Sequence, residues 1–364
     1  MMKRQRLTGV DLFRGIAAYA VAVLHSGDET TATVVNYWAA EVRHFCGFAV
    51  PFFLATSFYL IINKLYINGA DYSLKSRMKR IVIPYFIWSI IYLFSRSVKF
   101  LISNKPEEFN KLFSDPISII FFGGAEVQLY FLPILLTGTI LVRVAQYLLK
   151  NSIKVNIIFL LLGLSLIIYE TLIVSGNSFE LDPNSAFQSL LSLIWPDGNK
   201  NSLVRVLLVE LSWMVRCLPY IFISMILNHL FIRKNIKLFN TKITIILLAI
   251  FLFINTFEQS FIPQSVREVA IAYCGLLFAI SLSTDLKENR IFASLGLCSF
   301  GIYLMHYLVI QNFRFIAGRI YPEALNEVTV ISQLTFATLG FMISWIVTSF
   351  FLSKKNISKF MFGV

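Results

Sequence analysis

Apolar runs of about 20 residues recur along the chain, separated by short polar connections. A hydrocarbon core about 30 Å thick takes about 20 apolar residues to cross as a helix, whereas a barrel would show ten-residue stretches of strict alternation, a pattern missing here. The runs predict spans near 7 to 25, 44 to 62, 81 to 102, 126 to 149, 155 to 174, 206 to 232, 243 to 257, 268 to 283, 291 to 311 and 328 to 352. The expected architecture is an all-α integral membrane protein, a single bundle of about ten transmembrane helices filling residues 1 to 364 as one domain. No soluble domain, linker or repeat interrupts it. The first run carries charge and lacks a small-x-small cleavage site, so it reads as a span and not as a signal peptide.

Composition agrees with a bilayer as solvent: 57% of the 364 residues are hydrophobic, 14% are charged and the mean hydropathy is +0.71. A net charge of +12 would suit nucleic acid if it were gathered on one polar face. Instead the cations sit in alternate connections: Lys3, Arg4 and Arg6, then 63 to 80, then 233 to 242. The positive-inside rule places these and both termini in the cytoplasm and the loop 175 to 205 outside. The cations then report orientation and anionic headgroups, with no nucleic-acid partner. In the outer loop, Glu180, Asp182 and Asp197 either face a polar acceptor or are simply solvated. Cys46, Cys217, Cys274 and Cys298 have no ligand spacing and read as small core residues, leaving no metal site.

The richest stretch is DLFRGIAAYAVAVLH, residues 11 to 25, because ionisable residues inside a span are expensive and default to function. Arg14 and His25 lie eleven positions apart, within about 20° on one helix face and roughly 16 Å along it. Asp11 shares that face and stands at i, i+3 to Arg14, an arrangement that equally suits a simple pair at the helix entrance. Ala18 and Ala22, with Gly15, Ala17 and Ala20 nearby, predict a groove in which something slender could lie.

Other candidates are weaker one by one. Arg77 and Arg80 stand one turn apart in RMKRIVIPYFIW, suited to bidentate phosphate recognition or to orientation alone. Glu126, Gln128 and Tyr130 fall at the level of His25, where amide and phenol groups suit a hydroxylated acceptor. Glu41 and His44 precede the second span on the same side, as partners for His25 or as solvated interface residues. Ser299, Tyr303 and His306 share the ninth span, and Ser299 lacks the turn and base of a nucleophile. The sixth span contains Glu210 and Arg216, and the eighth begins near Arg267 and Glu268; of these Glu210 is the most suggestive of function, with a simple pair to a neighbour as its alternative.

Four segments together resemble the membrane-bound acyltransferase 3 family: the Arg, ten residues, His pattern of Arg14 and His25; VPFFLATSFYLI; RMKRIVIPYFIW; and SFGIYLMH. The chain departs from the family at Phe58, where a Gly is common, and at Gln128 and Tyr130, where His and Trp are common. Phe58 is expected to fill a helix contact or to narrow a passage. The resemblance is to the stand-alone glycan O-acetyltransferases. It implies an O-acyltransferase in a bacterial cytoplasmic (inner) membrane that takes an acyl group, acetyl first, from cytoplasmic acetyl-CoA to a hydroxyl of a cell-surface or lipid-linked glycan.

On this reading His25 is the base, an imidazole with an ordinary pKa of about 6.5, and Asp11 pairs with Arg14. Arg14, Arg77 and Arg80 would hold the donor's phosphates. Gln128, Tyr130, Ser299, Tyr303, His306 and Glu41 would be substrate-side residues. Ten spans with intramembrane charges also describe a transporter or flippase for a glycan or lipid-linked sugar, and a lipid-linked sugar polymerase or ligase is a third possibility. Neither requires thioester consumption.

Overall fold

The computed structural model describes residues 6 to 27, 34 to 69, 73 to 175, 202 to 233, 239 to 257, 262 to 321 and 326 to 363. The loop expected outside, with Glu180, Asp182 and Asp197, falls beyond the described residues. The helices are α1 (Thr8–Leu24), α2 (Tyr37–Cys46), α3 (Ala49–Asn68), α4 (Lys75–Ile102), α5 (Pro106–Leu112), α6 (Phe131–Lys150), α7 (Val155–Val174), α8 (Ser202–Asn228), α9 (Thr241–Thr256), α10 (Gln264–Asp285), α11 (Arg290–Ile320), α12 (Val330–Leu352) and α13 (Lys355–Phe362). Two two-residue strands, Val34–Val35 and Glu327–Val328, pair in parallel. The fold is an all-α membrane bundle.

Among the described residues eight helical stretches, including Tyr37–Asn68 and Val127–Lys150, are long and apolar enough to cross a membrane by length and composition. This is two fewer than the ten expected runs. The difference lies in α9, whose 16 residues are apolar but short, and in α1, whose 17 residues include Asp11 and Arg14. Both helices lie within the bundle. Asn255 near the end of α9 donates to the Phe45 carbonyl at 2.7 Å, and α1 is packed by α3, α10, α11 and α12.

Local sequence explains several boundaries. The predicted span 44 to 62 begins as two pieces, with α2 ending at Gly47 and α3 starting at Ala49. Pro51 is placed in the first turn of α3, where a missing amide hydrogen costs no helix bond. Asn289 caps α11 by accepting from the Ile291 amide at 2.7 Å, and Thr329 and Ser332 form a reciprocal capping box on α12.

Tyr85 of the PYFIW segment donates to the Ile119 carbonyl at 2.7 Å and accepts from the Gly123 amide at 3.0 Å. Gly123 has φ +82° and lies against the backbone of Leu129 and Tyr130, where a Cβ would clash. One tyrosine thus fixes the turn that delivers Gln128. Phe58 is fully buried, and its ring lies where a Gly138 Cβ would be. The large residue on α3 is matched by a glycine on α6, so Phe58 fills a helix contact.

Candidate active site

At the end of the bundle where α1 begins, Arg6 pairs with Asp11 and also donates to the Ala293 carbonyl at 2.9 Å. The expected Asp11 to Arg14 pair is therefore not the one formed. The unhelical lead-in at Leu7 brings Arg6 back to Asp11, and Gly296 lets α11 approach so closely that any Cβ there would meet the Asp11 carboxylate. Arg14 forms no hydrogen bond among the described residues and lines two joined cavities.

The larger cavity, about 960 Å³, is lined by Arg6, Arg14, Lys64, Arg77 and Arg80, with Asp11 the single acid in its wall. The sequence placed Arg14, Arg77 and Arg80 on different segments, and the bundle brings all three to this vestibule. Arg77 is steadied by Nε donating to the Thr139 hydroxyl at 3.3 Å. A site with this charge balance attracts a polyanion.

The vestibule narrows into a cavity of about 160 Å³ between α3, α6 and α11. Arg14, Ser57, Leu60, Arg77, Leu135 and Phe300 line both spaces. Deeper in, the walls are Phe53, Thr56, Phe131, Ser299 and Tyr303. The Thr56 hydroxyl is buried without a partner, whereas Ser299 donates to the Gly296 carbonyl at 3.0 Å. Tyr303 hydrogen-bonds the Gln128 carbonyl.

The alanine groove is overturned. Ala17, Ala18 and Ala22 have no exposed surface, and Gly15 is filled by Leu295. Small residues on α1 serve close helix approach, the usual use of small residues in membrane bundles. The open path runs beside α1, along α3, α6 and α11.

Three ring contacts connect the narrow cavity to His25. Phe131 and Tyr303 have centroids 5.3 Å apart, Tyr303 and His306 6.0 Å, and His306 and His25 5.5 Å. His25 is the C-cap of α1, its Nδ1 buried without a hydrogen-bond partner, and its ring meets Tyr307 edge-on at 5.3 Å. His306 is fully buried, with Nδ1 3.1 Å from the Ile302 carbonyl. A carbonyl only accepts, so Nδ1 must carry a proton; Nε2 is buried without a partner. His25 does not line the narrow cavity, which ends at Tyr303.

The turn after His25 is held by Arg43, from the segment before the second span, and by Arg314, which sequence reasoning missed. Arg314 Nη1 donates to the Ser26 carbonyl at 2.6 Å while its guanidinium lies over Phe336. Arg43 is packed where a Gly27 Cβ would sit. Arg314 falls at the end of a span, where its only sequence signal is that of an ordinary interface charge.

The remaining candidates divide. Gln128 is fully buried with neither amide atom hydrogen-bonded, and Tyr130 caps α6 beside it. Neither lines the cavity, though Gln128 touches it through Tyr303. Glu41 and His44 line a separate cleft on α2 with Trp38 and Asn255. Glu126 accepts from Gln311 at 3.3 Å, and Lys99 donates to the same Gln311 at 3.2 Å. Glu210 accepts from Thr137 at 2.7 Å, and Arg216 pairs with Glu268. Among the described residues no group of three or more His, Cys, Asp and Glu is placed to hold a metal.

Residues 7 to 350 match the model of a family described as an acyltransferase domain. No curated protein and no solved structure matches the chain.

Proposed function

The chain belongs to this acyltransferase family, and from that premise we propose that it is an O-acyltransferase using an acyl-CoA, acetyl-CoA first, to modify a hydroxyl of a cell-surface or lipid-linked glycan. The observation that carries the reading is the joining of a basic vestibule to a narrow cavity aimed at a buried pair of imidazoles. Five cations in one wall suit the phosphates of a CoA nucleotide, with the arginines giving forked contacts and Lys64 a point charge. The narrow part suits a pantetheine arm ending in a short acyl group.

Both termini then face the cytoplasm, so the donor enters from that side and the acceptor from the other. The acceptor hydroxyl oxygen attacks the thioester carbonyl carbon as His25 takes the hydroxyl proton. The new C–O bond forms, the C–S bond breaks, and the proton leaves on the CoA thiol, regenerating neutral imidazole. The anchor and the base are about 16 Å apart on one helix, so the acyl end crosses about half of the hydrocarbon core while the nucleotide stays at the entrance. The Tyr303 and His306 layer is the last barrier between thioester and base, and the reaction requires it to part.

The test is turnover of radiolabelled acetyl-CoA by purified protein supplied with glycan from its own membranes. His25→Ala is expected to lose transfer and retain donor binding. Near-normal turnover in that variant, or failure of the wild type to consume any acyl-CoA, overturns the reading.

A further inference from the structure

The first two turns of α4 carry four cations in six residues: Lys75, Arg77, Lys79 and Arg80. At 100° per residue the two lysines share one side and the two arginines another, with the pairs centred about 150° apart. The bundle uses this split. Arg77 and Arg80 line the vestibule, while Lys75 and Lys79 face a different cleft of about 600 Å³ between α4 and α6.

That cleft also holds Arg143 and Gln146 from α6, and its other walls are Ser73, Leu74, Met78, Val82 and Ile83. No acid lines it. Lys75, Lys79 and Arg143 are all exposed, and among the described residues none has a hydrogen bond or ion pair. Arg143 is the telling residue. It lies seven positions before the end of α6 at Lys150, roughly 10 Å inside the span, on a surface turned away from the protein core. A guanidinium at that depth is costly unless an anion meets it. Its side chain can rise along the helix towards the headgroups, and there it meets two more cations.

We propose that this cleft binds an anionic phospholipid, with the headgroup phosphate held by Lys75, Lys79 and Arg143 and an acyl chain lying against Val82 and Ile83. The ligand supplies the negative charge the cleft lacks and covers its apolar wall. The geometry favours a lipid over a free anion, because the apolar wall continues inward from the cations along α4. The site is separate from the vestibule and does not depend on the acyltransferase reading.

Native mass spectrometry of the purified full chain, after incubation with phosphatidylglycerol or phosphatidylcholine of matched chains, tests this. The wild type is expected to retain several-fold more phosphatidylglycerol. At about 1 kcal/mol per cation near a headgroup, the Lys79→Gln and Arg143→Gln double variant should lose roughly tenfold or more of that retention. Lys150→Gln, on the same rim and outside the cleft, should lose none. Millimolar inorganic phosphate should not displace the lipid. Equal retention of the two lipids, undiminished retention in a double variant that melts like the wild type, an equal loss in Lys150→Gln, or ready displacement by phosphate each overturns the proposal.

Discussion

Arg216 and Arg14 are both arginines within the helix bundle, and their surroundings could hardly differ more. Arg216 Nε donates to Glu268 Oε1 at 3.1 Å; that carboxylate also accepts from Tyr220 at 2.7 Å on the same oxygen and from Tyr169 at 2.7 Å on the other. The acid is met by three donors from α7 and α8, so the network ties those helices to α10. Arg14 has lost Asp11 to Arg6 and faces open space. A charge completed by the protein builds the bundle, and a charge facing a cavity is a candidate for binding an anion.

The comparison can be broken at either end. The largest effect is expected from His25→Ala, which should lower kcat by about 10²–10⁴-fold while acetyl-CoA binding and melting stay near wild type, since on the proposed reading only the base is removed. A parallel loss of donor affinity, read by equilibrium dialysis, would mean that His25 belongs to the binding site. Glu268→Ala should act oppositely. It strands Arg216 and should cost about 3–5 kcal/mol of stability, read as a lower melting point, with the folded fraction still active. Retained stability with lost turnover would move that network into the chemistry.

Smaller effects sharpen the boundary between packing and path. Ala18→Phe forces a ring into a fully buried position and should destabilise by about 1–3 kcal/mol, leaving donor affinity of the folded protein unchanged. Impaired donor binding at unchanged stability would restore a path along the alanines. Arg77→Lys keeps the charge but loses the fork and the bond to Thr139. It should weaken acetyl-CoA about tenfold, or about 1.4 kcal/mol, and unchanged affinity would return Arg77 to an orienting role.

Much of the geometry of the candidate site was legible because it is local. Arg14 and His25 stand on one helix, and the 3.6-residue period fixes their distance whatever surrounds them. The faces of KSRMKR are readable for the same reason, since lysines and arginines on a single helix cannot exchange sides. What the spacing could not say was which neighbour each face would meet. The alanines of α1 read as a groove because small residues mark both open space and close contact, and only Leu295 and the helices around α1 decide for contact. Lipid is as apolar as a membrane-protein core, so hydropathy does not separate the two environments.

The sequence by itself determined a bundle of membrane helices, the position of the acid and base residues along them, and the family, because bilayer thickness and helical period act on each segment alone. The tertiary structure decided the partners. Tyr303 reaches the Gln128 carbonyl across 175 positions, Arg314 holds Ser26 across 288, and Arg6 takes the carboxylate that spacing had assigned to Arg14. Hydrogen bonds and ion pairs of this kind depend on which helices pack together and at what depth, and that is settled only when all the segments compete for one another's surfaces.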